Sequence, residues 1–300
     1  MTNKLRPLLA TEVKNLKDLK LPMLASVKLD GIYALIVDGV IYSRSFKPIK
    51  NKHVQKLFGN RDLNGLVGEL VCGDVYAEDV FRQTTTATMA EDGVNDVKLY
   101  VFDDWSVGDK PYQERYQHYQ RRIKALNHGS IIALEHNMLH TIDEVITALD
   151  KEQKRNGEGI ILRLPSAKWK NGRSTPKSQE SVKLKFFEQQ EYKIVDVVER
   201  MHNANEAKVN EMGYTERSSH KDNMIPMNTF GAFVMELQDG RNFNVGSGLG
   251  LTDAVRKEIW NNRDKYIGKI ATVRQMKVGS KNGIPRLPTF VGLRDKDDIS

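Results

Sequence analysis

Residues 24–43 read LASVKLDGIYALIVDGVIYS, which is three apolar runs separated by two Asp-Gly pairs. The runs predict β-strands over Leu24–Leu29, Ile32–Val37 and Val40–Ser43, and the Asp38-Gly39 pair between the second and third runs is typical of a tight hairpin. The first Asp-Gly pair directly follows Lys28 and Leu29. A Lys-x-Asp-Gly tetrapeptide is common by chance and is compatible with an ordinary turn bearing a surface lysine. Its meaning therefore depends on the rest of the chain.

The chain as far as Glu188 mixes strand-like and helix-like segments. Thr141 precedes a segment with acids in its first turn and basic residues in its last turn, which predicts a helix with Thr141 as its N-cap. Because strands and helices are mixed, we expect an α+β domain with mixed or antiparallel sheets over residues 1–188. Its further predicted strands are Leu66–Cys72, Lys98–Phe102, Gly159–Leu164 and Ser181–Phe186, and its helices are Tyr112–Asn127 and Ile142–Asn156.

The pattern changes after Glu188. Short β-rich segments follow, with a second Asp-Gly hairpin at Asp239-Gly240 and one short helix capped by Thr252. Residues 201–229 form a long polar segment, which we expect to be a loop of the kind that is functional or disordered. Several short strands with one helix predict a small β-barrel of the OB-fold type over residues 189–300. Its strands are predicted over Tyr192–Glu199, Ala232–Leu237, Asn242–Val245, Lys269–Met276 and Thr289–Leu293.

The composition excludes several classes of protein. The 300 residues contain one cysteine, Cys72, which rules out an intramolecular disulfide framework and a zinc or iron–sulfur site built on cysteines. No apolar run approaches the ~18 residues of a membrane span, and residues 1–20 lack the apolar core of a signal peptide. We therefore expect a cytoplasmic protein, in the host cytoplasm if it is viral, with no membrane partner.

The net charge of +7 is concentrated in stretches without acids. Residues 39–61 contain six basic residues and no acid, and residues 163–177 and 269–286 contain five basic residues each, again without an acid. Such stretches can assemble into one surface that binds phosphates. The alternative interpretation is an ordinary solvated basic surface.

Four further short motifs accompany Lys28, and each is unremarkable by itself. In chain order they contain Glu69, Phe102, Glu158 with Gly159, and the Lys183 and Lys185 pair. Together they resemble the covalent nucleotidyltransferase superfamily of ATP-dependent DNA ligases, RNA ligases and mRNA capping enzymes. Residues 243–249 (FNVGSGL) and 286–294 (RLPTFVGLR) are similar to the OB domain of ATP-dependent DNA ligases in particular. The chain is thus identified as a member of the small, two-domain, bacteriophage-type ATP-dependent DNA ligases.

This resemblance implies an ATP-grasp-like ligase domain in which Lys28 attacks the α-phosphate of ATP and carries AMP covalently. The attack requires an uncharged amine, and neighbouring cations disfavour an ammonium group. Lys183 and Lys185 would also neutralise the triphosphate. Glu69 and Glu158 would hold Mg²⁺, with Mn²⁺ as a substitute. The remaining nucleotide contacts implied are Ser26, Val27 and Leu29 beside the nucleophile, Phe102 stacked on adenine, Glu69 at the ribose, Arg44, and Arg294 orienting pyrophosphate.

One position departs from the family. Relatives often carry arginine where Tyr33 stands, and a phenol brings a hydrogen bond but no charge. Tyr33 is either a nucleotide contact or a packed strand aromatic.

The expected partner is nicked double-stranded DNA, bound by a monomer. Arg44 would contact nucleotide or the 5′-phosphate of the nick, since a forked guanidinium suits a terminal phosphate. The other expected DNA contacts are Lys47, Lys50, Arg217 and Lys221.

Three alternatives remain for comparison. An RNA ligase or a GTP-using capping enzyme belongs to the same superfamily, but Glu158-Gly159 in place of an Asp-Gly pair and the C-terminal stretches weigh against capping. A nucleic-acid-binding OB protein with an inactive first domain would not become labelled by ATP. An NAD-dependent ligase is disfavoured because its four-cysteine zinc element has no counterpart in a chain with one cysteine.

Overall fold

The computed structural model of the protein describes residues 5–281 and 283–294, and for residues 277–281 it describes the backbone only. The chain divides into two compact units, Met1–Phe186 and Phe187–Ser300. This division falls two residues before the domain boundary expected from the sequence.

The first unit contains eleven described strands and four described α-helices. The strands are β1 (Leu8–Leu9), β2 (Met23–Val27), β3 (Ile32–Val37), β4 (Val40–Ser43), β5 (Leu66–Cys72), β6 (Val97–Asp104), β7 (Ile131–Ala133), β8 (Asn137–Leu139), β9 (Gly159–Arg163), β10 (Gly172–Arg173) and β11 (Ser181–Lys185). The helices are α1 (Lys52–Phe58), α2 (Val80–Met89), α3 (Tyr112–Leu126) and α4 (Ile142–Lys154).

Two larger sheets organise this unit. One has the strand order β4-β3-β5-β6-β7 and is antiparallel except for the parallel β6–β7 pair. The other has the order β11-β9-β2-β8 and is antiparallel throughout. Each sheet buries one apolar face, the first under residues of α1 and α3 and the second under residues of α4. The predicted α+β domain with mixed and antiparallel sheets is confirmed.

Local sequence signals set the hairpin and the helix cap correctly. The strands β3 and β4 have the predicted bounds, and the turn between them places Asp38 and Gly39 at φ values of 51° and 81°. Two positive φ angles are what a type I′ hairpin turn requires. At α4, the Thr141 side chain accepts a hydrogen bond from the backbone N–H of Glu144, as an N-cap does.

Helices α1 and α2 differ from the sequence-based expectation, which contains no helix at either place. Helix α1 has only seven residues and begins at the Asn51 side chain, which accepts from the backbone N–H of Val54. Helix α2 is rich in threonine, whose branched side chain disfavours helices. There Thr88 donates back to the carbonyl of Thr84, and the Thr84 hydroxyl accepts from the backbone N–H of Cys72. No helix in the described ranges is long and apolar enough to cross a membrane.

The second unit is built on one five-stranded antiparallel sheet with the order β16-β15-β12-β17-β18. An isolated bridge between Gly248 and Phe290 brings the segment after β16 to β18, so the sheet curls as a partly open OB barrel does. Phe230, Phe233 and Ile259 are in its core. Its elements are β12 (Phe187–Asn203), β13 (Ala207–Val209), β14 (Thr215–Arg217), β15 (Met224–Glu236), β16 (Asn242–Val245), α5 (Asp253–Asn261), β17 (Ile270–Lys281) and β18 (Ile284–Leu293).

The expectation that residues 201–229 form a loop is wrong. Strands β12 and β15 extend into this segment and pair there, with His202 opposite Ile225, and the β13–β14 hairpin lies between their ends. We call residues 201–229 the polar ribbon. Most of its side chains are exposed, so its strands lack the apolar alternation by which half-buried strands are recognised.

Candidate active site

The polar face of the β11-β9-β2-β8 sheet forms one side of a cavity in the first unit. Successive side chains of a strand point to opposite faces, so Ser181, Lys183 and Lys185 of β11 line the cavity. Their neighbours Val182 and Leu184 are buried in the apolar core under the sheet. The alternation of small or basic residues with aliphatic ones thus builds a cationic floor on an apolar base.

The other sheet of the first unit contributes the facing wall. Tyr33 of β3 lies directly opposite Glu69 of β5, and both line the cavity together with Phe102 of β6. The rings of Tyr33 and Phe102 are tilted, with their centroids 5.8 Å apart. An aromatic wall beside a cationic floor suits a ligand with a flat ring at one end and negative charge at the other.

Lys28 stands at the end of β2, where its backbone N–H donates to the carbonyl of Gly159 at 2.9 Å. Its ammonium group is in direct contact with the carboxylate of Glu158. The other oxygen of that carboxylate accepts from Lys185 Nζ at 2.8 Å. The Glu158 side chain is only 2% exposed, whereas Lys28 retains 18% exposure. One buried carboxylate therefore holds two lysines, and Lys28 keeps access to the cavity.

The charges of this cluster shift its titration. Burial by itself would raise the pKa of the Glu158 carboxyl, but the Lys28 and Lys185 ammonium groups outweigh burial and hold that pKa below its usual value. Burial lowers the pKa of Lys185, and the positive charges of Lys28 and Lys183 lower it further, while Glu158 acts in the opposite direction. Glu158 is thus a carboxylate at neutral pH.

Two glycines of the motifs are required by close backbone approach. A Cβ at Gly31 would lie 2.1 Å from the carbonyl oxygen of Leu70, and one at Gly159 would lie 1.9 Å from that of Leu184. Gly159 also has a φ of +145°, which other residues rarely adopt. The glycines after Asp30 and Glu158 thus allow the strands that carry Lys28, Glu69 and Lys185 to come together.

Glu69 is held in an unusual state. Burial raises the pKa of its carboxyl to about 8, against the opposing effect of the Lys28 charge, and the Glu158 and Asp30 charges raise it further. No group of three potential ligands from His, Cys, Asp and Glu is found among the described residues. Mg²⁺, however, is commonly bound by only one or two carboxylates, with waters and substrate phosphates completing its shell. The donor chemistry of Glu69 and Glu158 fits that pattern.

The structure brings most of the expected nucleotide contacts together. Lys183 lies on the floor with its ammonium 3.1 Å from Glu12. Arg294 lies in the second unit, where its guanidinium is in contact with the Glu191 carboxylate. Glu158 contacts the cavity lysines directly. The expected residues that line the cavity are Ser26, Val27, Lys28, Leu29, Tyr33, Arg44, Glu69, Phe102, Lys183 and Lys185.

The expected DNA contacts belong to both units of the chain. Arg44 is exposed at the end of β4 and lines the cavity, while Lys47 and Lys50 are exposed on the segment that follows. Arg217 and Lys221 belong to the polar ribbon of the second unit. The Arg217 guanidinium contacts the backbone carbonyl of Asn205, so it also fastens the ribbon.

Sequence reasoning missed Arg163, Arg173 and Ser181, which also line the cavity. Ser181 and Arg163 are directly opposite each other on β11 and β9. The signal was available in the alternation of the two strands, because Ser181 shares a face with Lys183 and Lys185. In the sequence, Arg163 stands out only as part of the basic stretch of residues 163–177.

Comparisons with known proteins agree with this architecture. The family model described as ATP dependent DNA ligase domain matches residues 7–185, and that described as DNA ligase OB-like domain matches residues 226–294. No curated protein sequence matches the chain.

Solved structures of similar proteins cover nearly the whole chain. The Chlorella virus DNA ligase–adenylate is 28% identical with a TM-score of 0.55, over 98% of this chain and 99% of that one. A Lig E DNA ligase has a TM-score of 0.70 at 19% identity, over 96% and 99% of the two chains. The bacteriophage T7 ATP-dependent DNA ligase in complex with ATP has a TM-score of 0.50 at 15% identity, over 97% and 98%. The Lig E and bacteriophage T7 ligases, at 19% and 15% identity, are similar to this chain in fold.

Proposed function

The chain belongs to the ATP-dependent DNA ligase family, and on that premise we propose that it seals nicks in duplex DNA, joining a 3′-hydroxyl to a 5′-phosphate at the expense of ATP. The observation that supports this proposal is the contact of Lys28 and Lys185 with one buried carboxylate, Glu158, beside a cavity walled by Phe102. We further propose roles in DNA replication, repair and recombination.

In the first step, Lys28 Nζ attacks the α-phosphorus of ATP. A P–N bond forms, the bond from the α-phosphorus to the bridging oxygen breaks, and pyrophosphate leaves. The amine must be uncharged to attack, and Lys185 Nζ lies 2.8 Å from the Glu158 carboxylate that Lys28 also contacts. Lys183 and Lys185 stabilise the charge that develops on the phosphate oxygens.

The next two steps consume the adenylate. The 5′-phosphate of the nick attacks the same phosphorus, so that the P–N bond breaks, Lys28 is regenerated and AMP is joined to the DNA end. The 3′-hydroxyl then loses its proton and attacks the 5′-phosphate, so that the phosphodiester forms, the bond from that phosphorus to the AMP oxygen breaks, and AMP leaves. Phe102 would hold the adenine ring by stacking throughout.

A divalent cation fits Glu69, which lines the cavity, together with Glu158, which contacts the cavity residues Lys28 and Lys185. Glu158 and Glu69 would hold Mg²⁺, or Mn²⁺ as a substitute, together with the phosphates of the nucleotide. When bound, the cation supplies charge neutralisation at the phosphates. Before it binds, Lys28 and Lys185 occupy the oxygens of Glu158.

We propose nicked duplex DNA as the partner of a monomer. Arg44 lines the cavity, Lys47 and Lys50 are exposed on the segment after β4, and Arg217 and Lys221 lie on the polar ribbon. Exposed lysine and arginine side chains suit the phosphates of a duplex. The match of residues 226–294 to the DNA ligase OB-like domain supports DNA rather than RNA as the nucleic acid.

Arg294 is proposed to orient the pyrophosphate leaving group. If it acts only in the first step, Arg294→Ala should impair the reaction with ATP far more than the sealing of nicked DNA that already carries AMP. Equal losses in the two assays would assign Arg294 to the DNA contact or to the ion pair with Glu191.

The proposed function is tested by incubating the protein with ATP labelled at the α-phosphate. We expect a covalent adduct whose label is lost to nicked DNA on addition of that substrate, with sealing of the nick. Absence of the adduct would contradict the proposed chemistry. An adduct that seals only nicks in RNA would contradict the proposed substrate.

A further inference from the structure

Among the described residues, only two buried side-chain polar atoms lack a hydrogen-bond partner: the hydroxyl of Tyr33 and Nε of Arg163. Both residues line the cavity. Folded proteins satisfy nearly all buried polar groups, because an unpaired one loses its bonds to water without replacement. Two such atoms in one cavity indicate that a ligand supplies the missing partner.

Contacts with Asp103 and Phe102 hold the guanidinium group of Arg163 in place. Its Nη1 lies 3.3 Å from Oδ2 of Asp103, and its guanidinium carbon lies 5.2 Å from the centroid of the Phe102 ring. The Asp103 carboxylate also accepts two hydrogen bonds from Arg115, from Nε at 2.7 Å and from Nη2 at 3.2 Å. Asp103 therefore keeps Arg115 as a partner when Arg163 is replaced. The two guanidinium groups carry two positive charges, against one negative charge on Asp103.

Tyr33 also lies beside Phe102, with ring centroids 5.8 Å apart. Burial raises the pKa of its phenol and the Arg163 charge acts to lower it, so the two side chains are within electrostatic reach of each other. Tyr33 itself brings no positive charge, and Arg163 on β9 is a cation that lines the same cavity.

The position of Arg163 indicates which part of the ligand it contacts. Lys28 donates its backbone N–H to Gly159, whereas Arg163 lies four residues further along β9, roughly 13 Å at the rise of a strand. The phosphate that reacts at Lys28 is thus at the opposite end from Arg163. The group beside Arg163, Tyr33 and Phe102 is the nucleoside.

We propose that Arg163 and Tyr33 jointly bind a hydrogen-bond acceptor on the nucleoside of ATP, and so act as specificity-determining residues. The inference rests on the proposed use of ATP. Because Nε only donates and a phenol can also donate, the shared partner is an acceptor, either a ring nitrogen of the base or a hydroxyl oxygen of the sugar.

The test compares the wild type with Tyr33→Phe and Arg163→Lys, using ATP and analogues that each lack one acceptor. The analogues are 1-deaza-, 3-deaza- and 7-deaza-ATP for the base, and 2′-deoxy- and 3′-deoxy-ATP for the sugar. The readouts are KM and kcat of adenylate formation and the equilibrium Kd of each nucleotide. Arg115→Lys is the matched control. Arg115 also pairs with Asp103, so the same substitution is made in a partner of that carboxylate, but Arg115 does not line the cavity.

We expect both variants to raise KM and Kd for ATP roughly 2- to 10-fold, as the loss of one hydrogen bond does, with kcat little changed. One analogue should bind the wild type more weakly than ATP does, by a similar factor. Its Kd should be the same for the wild type and for both variants. Which analogue behaves so assigns the acceptor to base or sugar. Arg115→Lys should lower thermal stability without altering this discrimination.

If each variant weakens ATP and all five analogues by the same factor, or weakens none, the proposal is overturned and the two atoms bond only to water. Tyr33→Phe removes a single hydroxyl and keeps the test available if Arg163→Lys does not fold. Should the wild type form no adduct with ATP, the proposed function fails, and the Kd comparison still decides this inference.

Discussion

The ammonium group of Lys28 lies against the carboxylate of Glu158, although the two residues are 130 positions apart in the chain. Antiparallel pairing of β2 with β9 brings them together, since Val27 lies opposite Ile160. Lys185 reaches the same carboxylate from β11, on the other side of β9. The three motif residues therefore meet because their strands are neighbours in one sheet.

Lys28→Ala should abolish the covalent adduct with ATP, because Lys28 is the lysine that combines the cavity position with the Lys-x-Asp-Gly turn. Mass spectrometry of the wild-type adduct should place AMP on Lys28. Lys183→Ala is the control and should still form the adduct, more slowly. AMP found on Lys183 or Lys185 would contradict the assignment.

Lys185→Ala should slow adenylate formation roughly 100- to 1000-fold, the usual cost of removing one group that stabilises charge in a transition state. Single-turnover kinetics with saturating ATP measure this rate. Lys170→Ala is matched to it, because Lys170 also pairs with a glutamate, Glu180 at 3.3 Å, but does not line the cavity. Equal rates for the two variants would exclude a special role for Lys185.

Glu69 should make the stability of the ligand-free protein depend on pH. Its pKa rises from 4.5 to about 8 on folding, so between these values the unfolded chain has lost a proton that the folded protein keeps. Stability contributed by this group is present below pH 4.5 and falls as pH rises towards 8. Glu69→Gln should therefore be more stable than the wild type at pH 8 in urea unfolding, with the advantage shrinking towards pH 4.5. An advantage that is constant with pH would contradict the raised pKa.

Gly159→Ala should destabilise the protein by about 3 kcal/mol, because a Cβ would collide with the carbonyl of Leu184 at a φ of +145°. Gly129→Ala is the control, since nothing lies within 4 Å of its added Cβ, and its effect should stay within about 0.5 kcal/mol. Thermal or urea unfolding measures both. Similar stabilities of the two variants would show that β9 and β11 can separate at this point without cost.

The exposed lysines after β4 should contribute to the salt dependence of DNA binding. Each phosphate contact contributes about −0.9 to the slope of log K against log salt, so Lys47→Ala with Lys50→Ala should flatten the slope by up to roughly 2. The control pair is Lys151→Ala with Lys154→Ala, two exposed lysines of α4. If both pairs flatten the slope equally, the effect reports net charge and not contact.

The sequence by itself determined the local elements whose signals are short-range. The hairpin of β3 and β4 follows from an Asp-Gly turn between two apolar runs, and the start of α4 follows from the Thr141 cap, because backbone conformation there depends on a few adjacent residues. The sequence also identified six candidate site residues, through the resemblance of motifs in chain order to a known family. It did not show that their side chains form one site. The six are Lys28, Glu69, Phe102, Glu158, Lys183 and Lys185.

Only the tertiary structure decided which of these residues touch. That Lys28 and Lys185 share Glu158, and that the surroundings of the half-buried Glu69 raise the pKa of its carboxyl, depends on strand pairing between residues far apart in the chain. The polar ribbon escaped prediction because its strands are paired by backbone hydrogen bonds, which hydrophobic periodicity does not register. Arg163 escaped because a basic residue in a strand has the same sequence signature on a surface as in a cavity. Its burial beside Asp103 and Phe102 is a property of the packed sheets alone.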